Sequence, residues 1–236
     1  GLIKKQKPLS SPNKKRIVFA GVFLGLHFVC FFLGVRHTSI ANATLLATLG
    51  PVFTSTFSFF QGKKTPRNVY IGLGVALFGI IMIQYGDLSL SPKNLLGNAL
   101  SLLSSLFIAI TFTTAAEIRK DTENVSYGRT LFLIAAITIG LIAIVSGVSL
   151  LDFQKNHIVW FLFLGIVPSI LGHNMLNYAL KYFSPTAIAS VPLGEPIIAS
   201  IFGFLIFSES IPSGAMISAP IILGGIFIVL KYQDTN

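Results

Sequence analysis

Cysteine is almost missing: Cys30 is the only one in 236 residues. An intramolecular disulfide framework and any multi-cysteine zinc or iron–sulfur site are therefore excluded. Charge is scarce as well, at 11% of residues, against about 25% in a soluble domain. Acidic residues are the scarcer sign, 8 against 17 Lys and Arg. What the chain has instead is apolar mass, with 53% hydrophobic residues, 21 Phe and a mean hydropathy of +0.79. Such a chain can bury itself, so disorder is excluded. The low charge excludes a soluble domain, and a membrane protein remains.

A transmembrane helix needs about 20 mostly apolar residues. Cutting the chain at its charge and Gly/Pro clusters leaves eight such stretches, at 17–35, 40–60, 69–86, 95–116, 130–150, 158–180, 185–207 and 213–230. Lipid cannot satisfy free backbone N–H and C=O groups, so spans are helices or closed barrel strands. Barrel strands alternate apolar and polar over about ten residues, whereas these stretches are apolar on nearly every face. The expected fold class is an all-α polytopic membrane protein with eight transmembrane helices.

The excess of basic residues has a geometric explanation. On one side of an eight-span topology lie Lys4, Lys5, Lys7, Lys14, Lys15, Arg16, Lys63, Lys64, Arg67, Arg119, Lys120, Arg129, Lys181 and Lys231; the other side holds Arg36, Lys93 and Lys155. This bias predicts cytoplasmic termini. A nucleic-acid surface needs a folded basic face, which loops this short cannot build, so no nucleic-acid partner is expected. Ala41-Asn42-Ala43 after a basic tail and an apolar run imitates a signal-peptide cleavage site. The first run is longer than the usual 7–15-residue signal core, and Arg36 and His37 interrupt the approach to the site, so it is read as a retained span. The Asn42 and Asn124 sequons fall in a span and in a cytoplasmic loop, so neither is expected to carry a glycan.

Shifting the chain against itself by 145 residues aligns the first three spans with the last three without a gap. Ser39 falls on Ser184, Pro51 on Pro196, Phe57 on Phe202, Phe59 on Phe204 and Gly79 on Gly224. The two copies enter the membrane from opposite sides, which is the inverted repeat of secondary transporters, with a substrate site at the repeat interface near the midplane. The expected organisation is a basic tail or loop at 1–16, the remainder of a first repeat at 17–86, and a five-helix second repeat at 95–231. On this reading the first repeat is incomplete by two helices, and two further spans are expected upstream of Gly1.

The stretch from Asn177-Tyr178-Ala179-Leu180-Lys181-Tyr182-Phe183-Ser184-Pro185-Thr186-Ala187 through Leu193-Gly194-Glu195-Pro196 to Phe207-Ser208-Glu209 resembles the eighth and ninth helices of EamA-type drug/metabolite transporters. Gly34-Val35-Arg36-His37-Thr38-Ser39 through Gly50-Pro51 to Gly62-Lys63-Lys64 resembles their third and fourth, departing at Lys64, where a Glu is common. The resemblance implies ten helices in a five-plus-five inverted repeat, cytoplasmic termini, and export of amino acids, metabolites or toxic compounds. It also places the chain in a bacterial plasma (inner) membrane.

Glu195 is the one charged residue well inside a span. A charge there is costly, about 2.5 kcal/mol or more, so it is expected to face the bundle interior or a wet cavity. One reading makes it a ligand for a cationic group or a coupling proton; the other makes it an interhelical bond holding a helix kinked by Pro192 and Pro196. The sixth span carries Ser169, His173, Asn174, Asn177 and Tyr178, which at helical spacing share one broad inward face. They are read either as interhelical bonds or as a substrate-facing wall. The second span sets Thr44, Thr48, Pro51, Ser55 and Ser58 on one stripe, read first as close packing, with Thr48 and Ser55 as cavity candidates and Pro51 as a kink. Asn98, Ser101 and Ser105, His27 with Cys30, and Gly21-xxx-Gly25 are read as packing groups.

No catalytic residue, metal site or cofactor is expected, and no HExxH, GxSxG, Asp-rich or P-loop motif occurs. The expected function is a secondary transporter of a small organic molecule, amino-acid-like or drug-like, exported by alternating access. Its partners are that solute and the lipid bilayer, with a proton as candidate coupling ion and a homodimer as candidate assembly. The alternatives are a non-transporting fragment and a polytopic membrane enzyme.

Overall fold

A computed structural model describes residues 11–85, 88, 91–150, 152–208 and 213–233; Gly1, Lys4, Lys5, Lys7, Gly86 and Glu209, named above, lie outside the described residues. Among the described residues there is helix and no strand. The order is α1 (Ser11–His37), α2 (Ile40–Ala47), α3 (Gly50–Phe60), α4 (Arg67–Gln84), α5 (Leu95–Arg119), α6 (Asn124–Val145), α7 (His157–Leu164), α8 (Asn174–Ala179), α9 (Pro185–Ser190), α10 (Glu195–Phe207) and α11 (Ser213–Tyr232). A π-helical stretch, Gly165–His173, joins α7 to α8, and a 3₁₀ turn, Val191–Gly194, joins α9 to α10. Grouped by continuity, these make eight helices long and apolar enough to cross a membrane, as the hydropathy predicts.

Three of the eight are not continuous α-helices, and proline is the reason each time. A proline offers no N–H and disfavours helix at the residue before it. Leu49 precedes α3 in a non-helical conformation, and Pro51 sits in the first turn, where a helix does not use that N–H. In the repeat counterpart, Pro192 opens the 3₁₀ turn and Pro196 lies in the first turn of α10. Pro51, Pro192 and Pro196 therefore restart helices rather than kink them. Pro168 lies inside the π-helical stretch, a common accommodation of a missing N–H. The fifth span begins at Asn124 and ends at Val145, not at 130 and 150. Gly147 turns the chain away at φ 70°, and Asn124 is helical rather than a loop residue.

The two stretches related by the 145-residue shift start alike. Ser39 starts α2 with its hydroxyl accepting from the Asn42 N–H at 3.1 Å, and Ser184 starts α9 by accepting from the Ala187 N–H at 3.3 Å. Both serines are extended, with ψ of 150° and 153°, the geometry of an N-cap.

The core has two parts. Against α1 pack α5 and α6, burying Ile17, Leu24, Ile108, Phe112, Tyr127 and Leu131. Gly21 and Gly25 make this approach possible: a Cβ on either would stand 2.7 Å from Ile134 Cβ or 2.8 Å from Thr138 Cβ. The packing reading of that glycine pair holds. The second part joins α4 to its repeat counterpart α11, around Val69, Leu73, Ile80, Leu193, Ile222 and Val229. Here backbones touch, since a Cβ on Gly225 would lie 2.5 Å from Ala76 N.

Candidate substrate site

The two broken helices define the centre of the candidate site. The stretch α2–α3 is interrupted just before Gly50-Pro51, and α9–α10 just before Glu195-Pro196, at positions matched by the repeat. Between them α9 packs on α3 and α5. Discontinuous helices of this kind line the sites of inverted-repeat carriers. Glu195 opens α10, where the free N–H groups of a helix start favour a carboxylate. Its side chain is exposed, and among the described residues no hydrogen bond or ion pair holds it, so the interhelical-bond reading of Glu195 finds no partner.

The sixth span does not present the single inward face its spacing predicts. The π-helical stretch Gly165–His173 has more residues per turn than an α-helix, so Ser169 departs from α-helical spacing, while His173, Asn174, Asn177 and Tyr178 keep it. Asn177 is buried at 2% exposure and offers its backbone carbonyl to Arg119 Nε at 3.0 Å. Asn174 Oδ1 accepts from Asn124 Nδ2 at 3.1 Å, and its carbonyl accepts from the same amide at 3.2 Å. Asn174 thus ties helices through its side chain, and Asn177 does so through its backbone carbonyl alone. Tyr178 points away, 53% exposed, with its hydroxyl 3.4 Å from that of Tyr182. His173 is half-buried and turns its ring toward α1.

Thr48 and Ser55 are buried. Each hydroxyl donates to a carbonyl of its own helix, Thr48 to Leu45 and Ser55 to Val52, both at 2.9 Å. Their hydrogen-bonding protons are already committed, in keeping with packing. The stripe on α5 behaves differently at its outer end. Asn98 Oδ1 accepts from Thr38 Oγ1 at 2.7 Å and from Asn42 Nδ2 at 3.0 Å, fastening the α1–α2 junction to α5.

Several residues that matter here were not singled out by the sequence reading. Asn13 at the start of α1 donates to Asp121 Oδ1 at 2.6 Å and Thr122 Oγ1 at 3.1 Å. Arg119, buried at 2% exposure, donates to the carbonyls of both Asn177 and Thr122. With Asn124, these close the end of the bundle that carries the basic loops. His27 was read as packing, but it is half-buried and faces His173. The only signal in the sequence was an imidazole in a span. Concavities of about 470 and 320 Å³ lie near Lys63 and Tyr70 and near Gln61 and Thr113, lined by none of these groups. Among the described residues no cluster of three or more His, Cys, Asp or Glu could hold a metal ion.

The chain was compared with known proteins. Residues 1–85 and 95–231 match the model of the EamA-like transporter family. The pseudopaline exporter of Pseudomonas aeruginosa is 29% identical over 227 residues, covering 94% of this chain and 75% of that protein. An uncharacterized transporter of Archaeoglobus fulgidus is 24% identical over 219 residues, 89% of this chain and 74% of the relative. One solved crystal structure shares the fold with a TM-score of 0.75 at 16% identity, over 92% of this chain and 76% of its own.

Proposed function

The chain belongs to the EamA-like transporter family, and from that premise we propose that it is a secondary carrier exporting a small organic metabolite across a plasma membrane by alternating access. It is an integral membrane transporter and not an enzyme. The alternating-access reading rests chiefly on one observation: matched helix breaks at Gly50-Pro51 and Glu195-Pro196 in the two halves of the chain. Non-helical backbone at membrane depth is tolerated only where it is buried in protein or lines a cavity, and inverted-repeat carriers use such breaks at their substrate sites. Glu195 stands at one of them, free to meet a cationic group or a proton. The relative named as a pseudopaline exporter supports the outward direction. Cytoplasmic termini follow from the side-to-side imbalance of Lys and Arg.

The test is solute counterflow in proteoliposomes loaded with candidate metabolites. Accelerated exchange of at least one labelled amino acid or organic cation over empty liposomes is the expected result. Equal rates across a broad panel, from protein that is folded by circular dichroism, would overturn the carrier reading.

A further inference from the structure

His27 belongs to the first repeat and His173 to the second, and their rings meet with centroids 6.3 Å apart at an interplanar angle of 74°. Apolar rings frame the pair: Phe28 stands edge-on to His173 at 5.3 Å, and Phe31 stacks on His27 at 6.4 Å. His27 Nδ1 lies 2.9 Å from the Ser104 carbonyl oxygen and 2.9 Å from the Ser104 hydroxyl. A carbonyl can only accept, so Nδ1 keeps its hydrogen and any exchangeable proton of His27 resides on Nε2. No described residue bonds that Nε2 or either ring nitrogen of His173. Nor are these nitrogens among the sealed, partnerless side-chain atoms, which are those of Gln84, Asn124, Tyr127 and Ser218. Each therefore keeps some accessible surface and an unused bonding position.

The surroundings narrow what could bond there. A 6.3 Å ring separation is too long for a direct ring-to-ring hydrogen bond. The two rings are thus neighbours that do not bond each other directly. The titratable group that acts electrostatically on His27 is His173. Of the others on the elements packed here, α1 carries Cys30 near the pair, Lys14, Lys15 and Arg16 at its start and Arg36 and His37 at its end; Glu117 and Arg119 lie at the far end of α5, Tyr127 and Arg129 on α6, and Tyr178 on α8. Among the described residues no carboxylate stands at the pair to balance a charge there. Two imidazoles are also fewer ligands than a zinc site takes from the protein.

We propose that His27 and His173 together bind a carboxylate of the transported solute, one oxygen between the two rings, with a proton taken up on the pair. The proton enters from water onto a ring nitrogen and leaves to water when the solute does; no bond to carbon changes. Anion and imidazolium then sit within the apolar layer as a neutral pair while access switches sides, avoiding the cost of a lone buried charge. This rests on the carrier reading above and adds to it the chemical class of the solute.

The first arm of the test needs no transport. With ¹⁵N-histidine-labelled protein in nanodiscs, acetate is expected to shift the ring signals of His27 and His173, and acetamide is expected to leave them unmoved. His37 and His157 serve as internal controls. Signals unmoved by acetate, or moved equally by acetamide, overturn the proposal. The second arm is counterflow of carboxylate-bearing solutes. His27→Gln and His173→Gln are each expected to slow it about tenfold, the loss of one charged hydrogen bond. Carboxylate exchange that neither variant slows sinks the histidine site while leaving the carrier reading standing. Acetate shifts without any exchange do the reverse.

Discussion

Arg119 Nε donates to the backbone carbonyl of Asn177 at 3.0 Å, joining the last turn of α5 to α8 across 58 residues of sequence. The same guanidinium reaches the Thr122 carbonyl just before α6. Among the described residues it has no carboxylate partner: Glu117, two residues away, pairs with Lys63 and Lys120 instead. Backbone carbonyls alone solvate this buried cation, and its planar fork of donors suits them.

Arg119→Ala should therefore lower the stability of the folded protein by about 1.5–3 kcal/mol, the worth of hydrogen bonds to a charged group. Lys at this position is expected to restore little of it, because one ammonium cannot span both carbonyls. Thermal unfolding in detergent reads both effects, and a wild-type midpoint for Arg119→Ala would refute the role.

Asn124 and Asn174 should be coupled. Their side chains bond at 3.1 Å where Gly128 lets α8 approach α6. A double-mutant cycle with Asn124→Ala and Asn174→Ala is expected to give an interaction energy of about 0.6 kcal/mol, the average for such bonds within membranes. Strict additivity would mean that the bond contributes nothing.

Adjacent glycines on α11 should respond in opposite directions. Gly224 faces open space, while a Cβ on Gly225 would run into the backbone of α4. Gly224→Ala is expected to be neutral or stabilising by up to about 1 kcal/mol through helix propensity. Gly225→Ala should destabilise by about 1–3 kcal/mol through overpacking. Fluorescence-detected size exclusion after heating ranks the two, and the reverse order would contradict the α4–α11 contact.

Glu195→Gln keeps the shape of the side chain and removes its charge and its titration. If Glu195 meets a proton or a cationic group, the variant should transport more slowly and lose pH dependence that the wild type shows. Identical rates with an identical pH profile would remove Glu195 from the site.

Much of the fold was legible in the residue order. Eight spans, and the absence of strand among the described residues, follow from where apolar runs, charges and prolines fall along the line. Backbone groups in lipid must be bonded within their own segment, so the period and length of such a run decide its structure locally. Gly21 and Gly25 were legible for a related reason, because small residues one turn apart suit close helix contact whatever the partner is. The prolines announced trouble at 51, 192 and 196. Whether the helix bends or restarts depends on what its neighbours will bond, and the structure shows restarts.

The candidate site was harder to read. Spacing put Asn177 and Tyr178 on one wall with His173, but Asn177 is buried and Tyr178 exposed, because what covers a helix face is set by the neighbours packed on it. Glu195 stood out from sequence alone as the lone charge well within a span. His27 did not: Ser104, which orients it, is 77 residues away, and His173, which faces it, is in the other repeat. Composition and periodicity determined that this chain is a helical membrane protein, because burial in lipid is a property of each segment. Only the tertiary structure decided which polar side chains are spent on holding helices together and which are left free, because a hydrogen bond between helices depends on distances that no single helix contains.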